Sequence, residues 1–270
     1  MAHTDFDKRM KENYEFRSRS YLTRRVPVII RVDGKAFHTF CKRFERPYDD
    51  FLNESLNKVM QFLCKNIQGA KFAERHSDEI SILVTDFDTL QTDAYFDYNI
   101  QKICSVVASM ATAEFCRILA VKQRDFESLS KSVEEIYSKR SVIGFDEDWP
   151  CFDTRCFNIP EHEVANYFWW REKDSLRNSI SMLAQSKFSH GQLQSKNNSE
   201  KQEMLFSEFG INWNNLPQCQ KTGCVCFRGC NEDGSRSPWI IEAAPIDKEA
   251  LDNLLKKVLD FEGGWSVSEE

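Results

Sequence analysis

The sequence predicts an α+β fold with a ferredoxin-like core in the order β-α-β-β-α-β, carrying helical additions. Three observations lead there. Two short apolar runs, Val26 to Val32 and Ile80 to Val84, have the β-branched content of strands and border the acidic pairs at Asp33-Gly34 and Asp78-Glu79. A tight turn at His76-Ser77 joins two strand-like runs into a hairpin. Stretches with apolar residues at helical spacing separate the remaining strands.

Residues 1–25 alternate charges with Phe6, Tyr14, Phe16 and Tyr21 and are expected to form a helix or arm outside the core. The first strand follows, with Pro27 tolerated near its start and Gly34 turning the chain out. From Asp50 to Ile67, the residues Leu52, Leu56, Val59, Met60, Leu63 and Ile67 recur at helical spacing, with Asp49 or Asp50 available as N-cap. After Gly69, AKFAER and EISILV form the hairpin that carries Asp78 at its mouth. Phe96 to Phe115 repeats the helical period, and FDTRCFNIP is the fourth core strand, ended by Pro160. The charge-rich stretch near 122–148 is an insertion. Residues 1–160 thus form the core, and 161–270 a helical and strand extension packed on it as one compact unit. That extension holds a long helix from Glu161 to Ser186 and a polar loop, HGQLQSKNNSEKQE. A strand in KTGCVCFRG, an amphipathic helix from Ile246 to Phe261 and a frayed tail complete it.

At 270 residues, 41% hydrophobic and 29% charged, the chain can bury a core and is neither disordered nor fibrous in composition. No apolar run is expected to span a bilayer. The first residues hold acids and no apolar segment, which argues against secretory and transit signals. The protein is therefore expected to be intracellular and cytoplasmic, with an organellar site left open and no membrane partner. Its ten cysteines are expected as reduced thiols. A formal charge of -6 lowers the expectation of nucleic-acid binding without excluding a local basic surface.

One Asp at the end of the first strand and another at the adjoining hairpin is the arrangement polymerase palms use for two-metal catalysis, although a fold alone establishes no function. Mg²⁺ takes carboxylate and carbonyl oxygens, and two ions roughly 3.5 to 4 Å apart stabilise attacking and leaving oxygens together. Asp33 and Asp78 are the candidates to bridge them. Gly34 lets its own carbonyl approach an ion, and the segment after it offers amides to phosphates, with Lys35 and His38 close by. Glu79 follows Asp78 directly, so in extended chain it points to the opposite face and acts indirectly. Either acidic stretch alone reads more readily as an ordinary turn, and the two together read equally well either way. Their pairing in this topology gives the metal reading its weight.

The runs RVDGKAFHTF, HSDEIS, FDTRCFNIP, WWREKDSLRNS, EMLFSEFGINWNNLP and KTG keep this order from about Arg24 to Gly223. Together they resemble the tRNA-His guanylyltransferase family. The resemblance implies a palm-type polymerase running backwards, which adds nucleotides to the 5′ end of RNA in the 3′-to-5′ direction. ATP activates a 5′-monophosphate, and the 3′-hydroxyl of an incoming nucleotide then attacks. It further implies two Mg²⁺ ions, tRNA, ATP and GTP or other nucleoside triphosphates as partners, and a homotetramer. Carried over by residue, Asp33 and Asp78 become the metal carboxylates, Gly34 a carbonyl ligand and Glu79 the neighbouring catalytic acid. Lys35, Ala36, Phe37, His38, Arg46, Ser77 and Lys102 fall at the triphosphate. Family members that modify tRNA-His carry a His-Ile-Asn-Asn-Leu-Tyr-Asn run, where this chain has Leu176 through Met182, LRNSISM. That version resembles the guanylyltransferase-like branch, whose members extend 5′-truncated tRNAs by copying the opposite strand. Templated 5′-end repair is accordingly the first expectation, and untemplated addition of G to tRNA-His the second. His76 also departs, standing where Gln is common.

Arg171, Lys173, Arg177 and Asn178 are candidate RNA contacts, weighed equally against a solvated helix face. Trp169 and Trp170 can stack on bases, but aromatics at helical spacing are more often core. Cys219, Cys224, Cys226 and Cys230 can in principle hold zinc, although their spacing is not that of paired knuckles and free thiols are expected. Two rival functions are a palm-type nucleotidyl cyclase, whose Gly-Gly-acidic loop is absent, and a non-catalytic RNA-binding module. Intact Asp33, Gly34, Asp78 and Glu79 speak against the module.

Overall fold

Successive residues of a strand face opposite ways, and the first strand is apolar on both sides: Val28, Ile30 and Val32 on one, Ile29 on the other. A sheet built from such strands needs a helical layer on each face. That is what forms in a computed structural model of the protein, which describes residues 5–129, 150–229 and 236–260. Six strands, β1 (Val28–Gly34), β2 (Ala70–His76), β3 (Glu79–Val84), β4 (Phe152–Asn158), β5 (Cys224–Phe227) and β6 (Ile240–Ala243), make one sheet. Their order is β4-β1-β3-β2-β5-β6, and every neighbouring pair is antiparallel. The principal helices are α1 (Asp5–Asn13), α2 (Asp50–Asn66), α3 (Ile100–Leu129), α4 (Val164–Gln185), α5 (Asn198–Phe209) and α6 (Lys248–Asp260).

The first four strands with α2 and α3 are the ferredoxin-like unit. Leu56, Val59, Met60 and Leu63 of α2 and Ile103, Val107, Ala111 and Phe115 of α3 cover the Val28, Ile30 and Val32 face. Asp49 caps α2 by accepting from the Leu52 amide at 2.9 Å. The extension supplies the other layer. Val164, Tyr167 and Phe168 of α4 and Leu251, Leu255 and Val258 of α6 pack on Ile29, Phe72, Leu83, Val225 and Phe227. A small separate cluster, including Leu183, Ala184 and Leu205, joins α5 to the end of α4.

Several expectations need correction. β1 runs on through Asp33 and Gly34, because these pair with Asp153 and Phe152 of β4. The loop HGQLQSKNNSEKQE is largely helical: a turn at His190–Leu193 precedes α5. A reciprocal cap starts α5, in which Asn197 Oδ1 accepts from the Glu200 amide at 3.0 Å and Glu200 Oε2 from the Asn197 amide at 2.8 Å. Trp170 is 51% exposed rather than core. Over Ile100–Lys122, α3 is long and apolar enough to cross a bilayer, contrary to the expectation of no such run. Its fully buried stripe of Ile103, Val107, Ala111 and Phe115 faces the sheet, as the stripe of a core helix does. The expected insertion near 122–148 begins within α3 and otherwise lies outside the described residues.

Phe168 is fully buried edge-on to Phe72 and Tyr167, with ring centroids 4.9 and 5.3 Å away. Phe168→Ala should therefore cost about 3–5 kcal/mol, read as a lowered urea midpoint with an unchanged slope.

Candidate active site

β1 and the β2–β3 hairpin end side by side, and the two acids meet there because of where each strand stops. Asp33 is the penultimate residue of β1. Asp78 lies in the two-residue turn between His76 and Glu79, whose first residue, Ser77, takes a positive φ of 52°. The Ser77 hydroxyl donates to Asp78 Oδ1 at 3.0 Å. A Cβ placed on Gly34 would meet Asp78 Oδ2 at 2.6 Å and collide with the Phe37 ring, so only glycine admits the carboxylate here. Burial raises the Asp78 carboxyl above its usual range and the Asp33 charge adds to the rise, while the Ser77 hydrogen bond lowers it. Two carboxylates beside a bare backbone form a donor set of the hard-oxygen kind that suits Mg²⁺.

Arg75, which sequence reasoning missed, fixes the turn from beneath. It is buried, donates from Nη1 to the Ser77 carbonyl at 2.8 Å and from Nε to Asn57 Oδ1 of α2 at 2.7 Å. Its lysine-like place among surface charges in the sequence gave no sign of this. Asp153 was missed as well, although its place directly across from Asp33 follows once FDTRC is paired with RVDG.

Glu79 faces away from the turn and is held by two guanidinium groups. Arg171 of α4 grips it bidentately, Nε to Oε1 at 2.7 Å and Nη2 to Oε2 at 2.8 Å, and Arg31 of β1 bonds Oε2 from the other side. Glu79 thus positions β1, β3 and α4 relative to one another. Arg171 is only 7% exposed, so its expected contact with RNA phosphate is replaced by this ion pair.

A cleft of about 610 Å³ opens over the acids, lined by Asp33, Asp78 and Glu79 and bounded by α4 on one side. Of the expected nucleotide contacts, His38, Arg46, Phe37 and Ser77 line it, and Lys42 joins them. Phe37 is itself a core residue at 3% exposure, stacked among Phe40, Phe115 and Phe152. Lys35 and Ala36 lie just outside the lining. Ala36 adopts a left-handed φ of 54° that bends β1 into the helical turn Phe37–Phe40. Lys102 is displaced. Thr112 accepts from the Phe152 amide beside Gly34, and Lys102 precedes it by ten residues, about 15 Å along the helix. The start of α3 packs instead beside Tyr21 and Leu22, at the opposite end of the sheet.

Along α4, Arg171, Ser175, Asn178 and Met182 face the cleft, three or four residues apart. Lys173 and Arg177 are exposed outside the cleft, with Lys173 over the Trp169 ring and Arg177 paired to Asp174. Cys41 lines the cleft, where burial and the Asp78 charge push its thiol up to about 12. Cys224 and Cys226 are buried in the core beneath α2, and Cys219 is exposed. Cys230 lies outside the described residues, and the other three form no metal-ligating group among them.

The chain matches two family models end to end: "tRNAHis guanylyltransferase" over residues 7–160 and "Thg1 C terminal domain" over 162–257. Among solved structures it is similar to a bacterial tRNA(His) guanylyltransferase (Thg1)-like protein in complex with ATP. The two are 38% identical with a TM-score of 0.77, covering 94% of this chain and 99% of that one. A bacterial structure of the same description in complex with GTP gives 36% identity and a TM-score of 0.74, with the same coverage. The tRNA(His) guanylyltransferase of Saccharomyces cerevisiae is 26% identical over 232 residues, 79% of this chain and 87% of the yeast protein. The protein belongs to the tRNAHis guanylyltransferase family, nucleotidyltransferases acting on tRNA.

Proposed function

We propose that the protein adds guanylate to the 5′ end of a tRNA, using ATP to activate a 5′-monophosphate and GTP as the incoming nucleotide. The observation that carries this reading is the Asp78 carboxylate seated against the backbone of Gly34 beside Asp33. Family membership supports it. So do similar bacterial proteins described in complex with ATP and with GTP, and a cleft within the roughly 300–1,000 Å³ typical of small-ligand sites. The similar proteins of Dictyostelium discoideum and Saccharomyces cerevisiae are described as a probable tRNA(His) guanylyltransferase and a tRNA(His) guanylyltransferase, which favours G addition over templated repair.

Asp33, Asp78 and the Gly34 carbonyl would hold Mg²⁺. When bound, the metal supplies Lewis-acid stabilisation of charge on the phosphoryl oxygens. The chain's own residues orient the substrate: Lys42 and Arg46 put positive groups along the cleft for a triphosphate, His38 adds ring nitrogens that can hydrogen-bond it, and Arg75 and Glu79 hold the turn that aims Asp78. Templated repair of 5′-truncated tRNA is the second reading. It is favoured by the run from Leu176 to Met182, which departs from the tRNA-His pattern and places Asn178, Ser179 and Met182 on the cleft wall.

The deciding measurement offers 5′-monophosphorylated tRNA-His, full-length or lacking its first nucleotide, with ATP, Mg²⁺ and each nucleoside triphosphate. G on the full-length RNA is the expected product. Addition that follows the opposing base, and only on the truncated RNA, selects repair; no addition to either retires both readings. Asp33→Ala and Asp78→Ala should each lower addition by at least about 100-fold with the melting temperature of the fold retained. Glu79→Gln should act on stability, costing about 3–5 kcal/mol by urea unfolding because two guanidinium groups lose their buried counter-charge.

A further inference from the structure

Behind the hairpin, on the side of α4, three buried side chains converge that the site above does not use. Glu74 and His76 stand two residues apart on β2 and share a face, and Glu172 reaches them from α4. They are 1%, 8% and 0% exposed. One ligand atom from each lies within 4.8 Å of the others, with His76 Nε2 at 3.2 Å from Glu74 Oε1 and 3.9 Å from Glu172 Oε2. None of the four carboxyl oxygens or two ring nitrogens makes a hydrogen bond of ordinary geometry, although the two carboxyl groups are near enough to share a proton.

Leaving such groups unsatisfied costs about 1–3 kcal/mol each, and six in one spot is more than a fold carries without an occupant. Protons on the two carboxyl groups can join them to one another and to His76 Nε2, 3.2 Å from Glu74 Oε1, but leave His76 Nδ1 and the remaining carboxyl oxygens unserved. A divalent cation answers for all three side chains at once and balances both carboxylate charges. We infer that Glu74, His76 and Glu172 bind one divalent transition-metal ion of the zinc class, separate from the Asp33–Asp78 site. An imidazole in the set selects a borderline metal such as zinc over magnesium. Bonds of about 2.0–2.2 Å to a tetrahedral ion place ligand atoms about 3.3–3.6 Å apart, close to the spacing already present. Burial holds the Glu74 carboxyl up at about 8 and Glu172 at about 9, so binding at neutral pH displaces protons from both. The site lies two residues from Asp78 and one from Arg171, so the ion would fasten β2 to α4 directly under the turn. It does not depend on the activity proposed above.

The test begins with metal analysis of full-length protein purified without chelators. Chelator-stripped protein is then titrated with Co²⁺ alone, and its melting temperature is followed with added Zn²⁺. Expected are about one transition-metal ion per chain, visible cobalt bands of a tetrahedral oxygen and nitrogen site without sulfur-to-cobalt charge transfer, and a higher melting temperature with Zn²⁺. Glu172→Gln and His76→Gln should weaken Co²⁺ binding by at least about 100-fold. The inference is overturned if wild-type protein carries less than about a tenth of an ion per chain, gives no cobalt bands and melts unchanged with Zn²⁺, which leaves a proton-sharing trio. Sulfur-to-cobalt charge transfer that survives His76→Gln overturns it equally, moving the ion to the cysteines. Should either variant fail to fold, the wild-type titration decides alone.

Discussion

The carboxylate of Glu79 between Arg31 and Arg171 is the interaction on which the arrangement of the site depends. It joins the first strand, the hairpin and the long helix of the second layer at one buried point. A charge so placed needs its counter-charges, and removing the carboxylate leaves two guanidinium groups without their shared partner inside the protein. This demand fixes the hairpin against α4 together with the hydrogen bond between the Tyr167 and Ser81 hydroxyls at 2.9 Å and the packing of Phe168 on Phe72. Arg75, within the hairpin itself, ties it to α2 and holds the Ser77 carbonyl. Asp78 is therefore aimed by three arginines, each engaged with a protein acceptor.

Much of this was legible in the chain. Asp33-Gly34 and Asp78-Glu79 declare themselves because the first closes a short β-branched run and the second opens one, and the strand period decides which way Glu79 faces. The core helices follow from the spacing of Leu56, Val59 and Leu63 and of Ile103 and Val107. What stayed hidden was long-range. Arg171 reads in sequence like any solvated cation on a charged helix, and nothing local says that its partner lies 92 residues earlier. Lys102 fails for a related reason: its place depends on which end of the sheet α3 starts from, a matter settled by the bridge between Tyr21 and Asn99. The four residues of β6 are too few to show a period. The start of α5 did carry its signal, Asn197 three residues before Glu200, within a stretch whose polarity masked it.

Consecutive residues of α4 serve different ends. Arg171 turns to Glu79, Glu172 to the buried group with Glu74 and His76, Lys173 to the Trp169 ring and Asp174 to Arg177. The helix is thus a divider between the cleft and the second core. Asn178 and Met182 line the cleft two and three turns beyond the Arg171 anchor, so changes there alter the cleft wall at a distance from the acids.

The two guanidinium groups on Glu79 also set the electrical character of the cleft floor. Asp33, Asp78 and Glu79 bring three formal negative charges, and Arg31, Arg171 and Arg75 match them with three positive ones. Carboxylates balanced in this way leave little net field over the cleft, so what approaches it meets the oriented oxygens of Asp33 and Asp78 rather than an unbalanced block of negative charge.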